Sequence, residues 1–223
     1  DMHSHFIPGI DDGAKDMDDA LNLLRSMQEF GYKKIITTPH VMSDGFRNTP
    51  EIVLGGLEKL RTAAREAGIT LELEAAAEYY YDSDLEKKLK NGPLIFGQKY
   101  LLFEVSYMYP PDGIETFIFN AQVEGYKLIL AHPERYPFWA EDFSYYEKLK
   151  DKSVLFQLNI NSLTGHYSEA TKKTAERMID AGMIEFLGSD CHHTGHINLM
   201  QHARKEKYLH KLLESGKLRN NEL

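Results

Sequence analysis

The chain opens on DMHSHFIPGIDDG, which sets His3, His5, Asp11 and Asp12 close together at its start. Imidazole nitrogen and carboxylate oxygen are ligands for borderline or hard divalent cations such as zinc, manganese or iron. A His-x-His pair in an extended segment presents both rings on one face. The same residue types recur far along the chain: His40 in TTPH, Glu78 in EAAAEYYY, Glu104 in LLFEVS, His132 in LILAHPERY, and Asp190 and His192 in FLGSDCHH. With Asp12 these groups exceed what one ion needs. They predict two or three ions close together, with a carboxylate bridging them. Such crowding repels without cations, so the ions are expected to stabilise the fold as well.

Taken singly, each residue has a plainer explanation. His40 or His132 could be a turn or buried histidine, and Glu78 or Glu104 a salt-bridge partner, although a buried unpaired carboxylate is costly. Their shared placement argues for a site, because each falls in or at the end of a predicted strand. The spacing predicts a helix over 16–30, DMDDALNLLRSMQEF, capped by Asp16 and stopped at Gly31. KKIITTPH is a β-branched strand, and TPEIVLGGLEKLRTAAREAG a helix with Thr49 as cap and Pro50 at its first position. ITLELEAAAE, KYLLFEVS, YKLILAHPE, SVLFQLNIN and MIEFLGSDCHH read as further strands. DSDLEKKLK, DGIETFIFNAQVEG, DFSYYEKLKD, SEATKKTAERMIDAG and a last stretch over 199–213 read as the helices between and after them.

Strands separated by helices imply parallel strands and right-handed crossovers. The apolar runs LLFEV and KLILA suit strands buried on both faces. About seven such units with no evident linker predict an α/β fold over 1–223 as one domain. A distorted seven-stranded (β/α)7 barrel is favoured over an open sheet, because the carboxyl ends of barrel strands converge on one rim, whereas an open sheet gathers only residues near its switch point.

Composition bounds the partners. The 223 residues carry a formal charge of -8, with 42% hydrophobic and 27% charged residues, and no long basic run. This argues against a nucleic-acid surface. The single cysteine, Cys191, excludes an intrachain disulfide framework and suits a reducing, cytoplasmic setting. No segment approaches the eighteen or so apolar residues of a membrane span, and the interrupted first residues do not form a signal peptide. C-x5-R is absent, which argues against thiolate phosphatase chemistry. His166, His196, His202 and His210 are read as surface residues or as neighbours of ligands.

HSH, DDG, TPH, AAAEYY, FEVS, AHPERY and SDCHH resemble the polymerase-and-histidinol-phosphatase (PHP) superfamily. More closely they resemble its bacterial protein-tyrosine-phosphatase branch, the capsule and exopolysaccharide regulators of the CpsB/YwqE type. HSH alone fits many metallohydrolases; DDG with AEYY and AHPERY is more specific. The resemblance covers nearly the whole chain. It implies the distorted barrel and three divalent ions, manganese foremost, with iron or zinc as alternatives. Carried over by position, it implies one ion on His3, His5, Glu78 and Asp190, a second on Glu78, Glu104 and His132, and a third on Asp12, His40 and His192. It also implies that Arg135 holds phosphate, and that the substrate is phosphotyrosine on a protein such as the tyrosine-rich tail of a partner kinase. Relatives commonly carry an arginine shortly after the last metal motif. Here the stretch is CHHTGHINLMQHAR; Arg204 is expected within the helix, leaving His196 or Arg47 as candidate substitutes. The start one residue before MHSH suggests a short natural leader.

The chemistry so implied is phosphomonoester hydrolysis by water activated at a divalent cation. Such transfer depends on positioning and charge stabilisation. Arg135 would grip the phosphate, and either Asp190 or His192 would orient water or protonate the leaving phenolate. Tyr79, Tyr80, Tyr81, Tyr107 and Tyr109 are candidates for an apolar slot near the rim, or simply for a cover over the barrel end or an oligomer contact. Two rivals remain: a small-molecule phosphomonoesterase such as a histidinol-phosphate phosphatase, and a non-catalytic module that grips a phosphotyrosine tail.

Overall fold

The computed structural model describes residues 1–223. Local sequence sets most elements where expected. Helix α1 (Met17–Glu29) starts at Asp16, whose carboxylate accepts from the Asp19 N–H. The chain leaves α1 through Gly31 at φ +93°, a left-handed conformation that glycine adopts without strain. Helix α2 (Pro50–Glu66) starts at Thr49 with Pro50 in its first turn. Helices α3 (Leu85–Lys90), α4 (Ile114–Val123), α6 (Ser144–Asp151) and α7 (Glu169–Asp180) also lie in the expected segments. A short helix, α5 (Pro137–Ala140), follows the HPER turn. The last expected helix is two, α8 (Thr194–Ala203) and α9 (Lys207–Glu214).

Two expected strands are each broken in two. KKIITTPH yields β1 (Lys34–Thr37) and β2 (His40–Val41), separated at Thr38 and Pro39, because proline has no N–H to give a ladder. The next yields β3 (Glu72–Ala75) and β4 (Glu78–Tyr80). Strands β5 (Tyr100–Glu104), β6 (Lys127–Ala131), β7 (Leu155–Asn159) and β8 (Phe186–Gly188) complete the set. All pairings are parallel: β1 pairs with β3, and a six-stranded sheet runs β2-β4-β5-β6-β7-β8. The parallel α/β class is therefore as expected, but the strands form a sheet of six beside a pair, and strand pairing does not close the distorted seven-stranded barrel that was anticipated. The first segment makes one bridge, Ser4 with Cys191, in place of a full strand. It nevertheless bonds on both sides: Thr38 N–H donates to Ser4 O, Ile36 N–H to Asp1 O, and Asp190 N–H to His3 O.

Side-chain alternation along these strands sorts the core. Leu101 and Phe103 of β5, and Leu128 and Leu130 of β6, enter a large apolar cluster with residues of the surrounding helices. Tyr100 and Leu102 of β5, with Ile129 and Ala131 of β6, point the other way into a smaller cluster containing Met2, Ile36 and Phe186. By the same period of two, Glu104 shares the face of Tyr100 and Leu102. A carboxylate thus terminates the inner face of an otherwise apolar strand.

Candidate metal centre

The register of the sheet brings the predicted ligands together. His40 of β2 lies opposite Glu78 of β4, and Tyr80 of β4 opposite Glu104 of β5. His132 follows β6, and Asp190 follows β8, each through a residue in the left-handed region, at φ +35° for His132 and +47° for Asp190. Non-glycine residues rarely sit there, and histidine and aspartate are among those that tolerate it. The DDG turn needs its glycine for another reason: a Cβ on Gly13 would lie 2.4 Å from His5 Cβ and 2.1 Å from the His5 carbonyl oxygen. That close approach folds the Asp11–Asp12 loop back over His5.

All nine expected ligands converge. Four groups have ligand atoms mutually within 4.8 Å: His5, Asp12, His40 and His192; His3, Glu78 and His132; His3, His5 and Asp190; His40, Glu78 and Glu104. These sets differ in detail from those implied by the resemblance. His5 faces the Asp12 group as well as Asp190, and His3 shares a group with His132. Glu78 is central: its Oε2 lies 3.2 Å from His3 Nε2 and 3.1 Å from His40 Nδ1, and its Oε1 lies 3.0 Å from His132 Nε2.

The donor set fits cations. His3 Nε2, His5 Nε2, His40 Nδ1 and Glu78 Oε2 are buried without a hydrogen-bond partner, although buried polar atoms are ordinarily partnered. The far side of most rings is held. Gln157 Oε1 accepts from His3 Nδ1 at 2.7 Å, while Gln157 Nε2 donates to Leu158 O, which fixes the amide's orientation. Asp11 Oδ2 accepts from His5 Nδ1 at 2.8 Å, and the Asp190 carbonyl accepts from His192 Nδ1 at 3.0 Å. A proton on Nδ1 leaves the Nε2 lone pair facing the cluster, as in histidine ligands oriented by an outer partner. Asp11 stands in the opening motif but outside the expected ligand set. Gln157 and Asn159 were not singled out from sequence and carry no local signal beyond standing on one face of β7.

The charges reflect this crowding. Burial alone would raise the Glu78 carboxyl, but His3 and His40 hold it well below the usual range. Asp190 is likewise raised by burial and lowered further by His3 and His192. Burial opposes the imidazolium of His3, yet Glu78 and Asp190 push it up to about 9. His40, against burial, is pushed up to about 12 by Glu78 and Glu104. His132 is lowered by burial and by Arg135.

Arg135 lies beside the cluster. Its Nη1 donates to Asp190 Oδ2 at 2.8 Å, and Asn159 Nδ2 donates to the same oxygen at 2.9 Å. The guanidinium lies 4.1 Å from the Tyr167 ring centre and 4.8 Å from that of Tyr107. Neither candidate substitute for the missing arginine supplies a charge at the site. His196 is buried with Nδ1 3.0 Å from the Asp190 carbonyl, and burial, then His193, depress it to about 4. Arg47 is exposed and donates to Ser43 O. Arg204 ends α8 and is exposed, its guanidinium over Phe30. His202 and His210 are exposed. Cys191 is a core residue whose thiol is raised by burial, unsuited to nucleophilic work.

Of the five tyrosines expected near the rim, Tyr79 faces the main core, and its hydroxyl accepts from the Leu94 N–H. Tyr81 packs on Phe117 and donates to Asp112 O. Tyr107 stacks over His132, and Tyr109 is exposed.

A parallel β/α fold with imidazoles and carboxylates gathered at the carboxyl ends of its strands has the form of a metal-dependent hydrolase. The family model for capsular polysaccharide synthesis, CpsB/CapC, matches residues 1–215, and the chain belongs to that family. It is 29% identical over 194 residues to the tyrosine-protein phosphatase YwqE of Bacillus subtilis (strain 168), across 86% of this chain and 76% of that one. It is 28% identical to the putative tyrosine-protein phosphatase CapC of Staphylococcus aureus, with the same coverage. Among solved structures it superposes with a TM-score of 0.85, at 27% identity and over 99% of this chain and 94% of that one. That match comes from work on YwqE of B. subtilis and CpsB of Streptococcus pneumoniae, described as unique metal-dependent tyrosine phosphatases.

Proposed function

We propose that this chain is a metal-dependent protein-tyrosine phosphatase. Its substrate is phosphotyrosine on a protein, foremost the tail of a bacterial tyrosine kinase that regulates capsular or exopolysaccharide synthesis. Residues 1–223 act as one domain in the cytoplasm, and no helix is long and apolar enough to cross a membrane. The observation that carries the reading is the set of buried, unpartnered ligand atoms on His3, His5, His40 and Glu78. Support for a seven-stranded ring comes from the first segment, which bonds toward β1 on one side and toward the chain beyond β8 on the other.

Three divalent ions, manganese foremost, would be held by His3, His5, Asp12, His40, Glu78, Glu104, His132, Asp190 and His192. When bound, they would supply an activated water at neutral pH and neutralise charge on the phosphoryl oxygens. The chain's own residues do the rest. Arg135 spends Nη1 on Asp190, and its other side-chain N–H groups have no partner within the chain, so they remain for a phosphate oxygen. Tyr107 and Tyr167 hold the guanidinium between their rings. Asp190, with two donors on Oδ2, is built to remain an anion and to orient its neighbours; it does not give up a proton. The open edge is at Asp12 and His192, where the Asp12 side chain is 58% exposed. The proton for the leaving phenolate is exchanged there.

The test uses protein stripped with chelator and reloaded with manganese, assayed for phosphate release from a phosphotyrosyl peptide. Turnover is expected only in the loaded protein. Peptide binding without release under any divalent loading would leave the non-catalytic module as the better account. Preference for small phosphomonoesters under identical loading would favour the histidinol-phosphate type.

A further inference from the structure

We propose that Phe46 and Tyr107 are the residues that select an aryl over an alkyl phosphomonoester, forming two walls for the phenyl ring. This rests on the phosphatase reading above and names the groups that would give it its substrate class. The Phe46 ring lies 5.6 Å from that of His40 and nearly parallel to it, at 12°. The Tyr107 ring lies 5.8 Å from that of His132 at 25°. His40 and His132 reach the two different oxygens of Glu78. The two aromatic rings therefore stand over histidines on opposite oxygens of one carboxylate.

Both rings are held in place. Phe46 sits in a turn closed by Met42 N–H donating to Phe46 O at 2.8 Å, and Asn48 Nδ2 ties the turn's end to Ile10 O and His40 O. Tyr107 is 36% exposed in the loop after β5, and that loop is anchored by the Tyr81 hydroxyl on Asp112 O. Beyond it in the same loop Met108 and Tyr109 are 74% and 70% exposed, so the apolar run continues outward from Tyr107. Tyr107 also contacts Arg135. A phosphate gripped by Arg135 brings the first atoms of its leaving group beside Tyr107. The Tyr107 ring already meets Arg135, His132 and Tyr136, so a phenyl leaving group would meet its exposed part edge to face, a contact an alkyl chain does not make.

A plainer role, in which these rings merely shield His40 and His132 from solvent, would affect every substrate alike. The experiment therefore reads ratios. The manganese-loaded full chain and its Phe46→Ala, Tyr107→Ala and Tyr107→Phe variants are assayed on phosphotyrosyl and phosphoseryl peptides of one sequence. Inhibition by phenylphosphonate and methylphosphonate is measured beside them, and thermal melts verify folding. In each alanine variant the tyrosyl-to-seryl ratio of kcat/KM is expected to fall about three- to tenfold, a magnitude typical of one aromatic contact. The phenyl-to-methyl inhibition ratio should fall with it, and Tyr107→Phe should retain both. Unmoved ratios in both alanine variants of a parent that does hydrolyse phosphotyrosine would overturn this assignment alone. A parent that releases phosphate from neither peptide would overturn the phosphatase reading and this assignment with it.

Discussion

The two ends of the same strands are built on opposite principles. At the carboxyl ends, His3, His5, His40 and Glu78 bury ligand atoms with no hydrogen-bond partner. At the amino ends, the C-terminal segment supplies hydrogen-bond partners. Arg219 N–H donates to Glu185 O. Asn220 accepts from Leu187 N–H and donates to Leu187 O, and the Tyr100 hydroxyl donates to Glu222. None of the chain's unpartnered buried side-chain atoms lies in this plug. One end is complete as protein alone; the other is arranged for charge that the chain does not carry. Stability and chemistry are thus separated along the strand axis, as in β/α barrels generally.

Mutations at the two ends should separate in the same way. The largest effect is expected from Glu78→Gln, which removes the carboxylate that four histidines share. Turnover should fall by at least ~10²–10³-fold and bound metal should drop by elemental analysis. Equal activity in parent and variant would remove Glu78 from the centre of the site. Next is removal of the ions. If each ion is present at about a thousand times its dissociation constant, it stabilises by about 4 kcal/mol. Chelation should therefore lower the melting temperature by on the order of ten degrees for each ion removed. An unchanged melt would mean that the polar end needs no cation.

Gln157→Leu should act at the carboxyl end from behind His3. Loss of an outer-shell partner typically costs ~10–100-fold in metal affinity, read by titration of manganese into the stripped protein. Asn220→Ala gives the converse at the amino end. It removes two hydrogen bonds to Leu187, worth about 1–3 kcal/mol together. The denaturation midpoint should fall while the metal-loaded kcat/KM stays within about twofold. A comparable loss of turnover would break the separation of the two ends.

The smallest effect is one of sign. Without metal, His3 and His40 have folded pKa values above their unfolded ones, at about 9 and about 12. Their stabilisation is fully present below an unfolded histidine value of about 6.5 and is lost as pH rises toward those folded values. Cations compete with the same protons, so loaded protein should instead gain stability with pH. Denaturation midpoints at pH 7 and pH 9 should shift down with pH in chelator and up in manganese. Parallel shifts would mean that protons and ions do not share these groups.

Much of this was legible in the residues themselves. Strand and helix spacing, the caps at Asp16 and Thr49, and the ligand types in HSH, DDG and SDCHH are local properties, decided by backbone preference and side-chain chemistry. Pro39 interrupts the segment read as one strand, since proline cannot complete a ladder, and the chain forms two short strands on either side of it. What local spacing does not encode is register. It was tertiary structure that set His40 opposite Glu78, moved His5 into the group of Asp12, His40 and His192, and turned Tyr79 toward the core while Phe46 came to rest over His40. Tertiary structure also supplied Gln157 and Asn159, ordinary polar residues until β7 placed them behind His3 and Asp190. The physical reason is that residue type and spacing determine which groups a chain can offer and which face of an element they occupy. Which groups meet depends on the pairing of elements far apart in sequence, and that is settled by burying the apolar faces of all of them together.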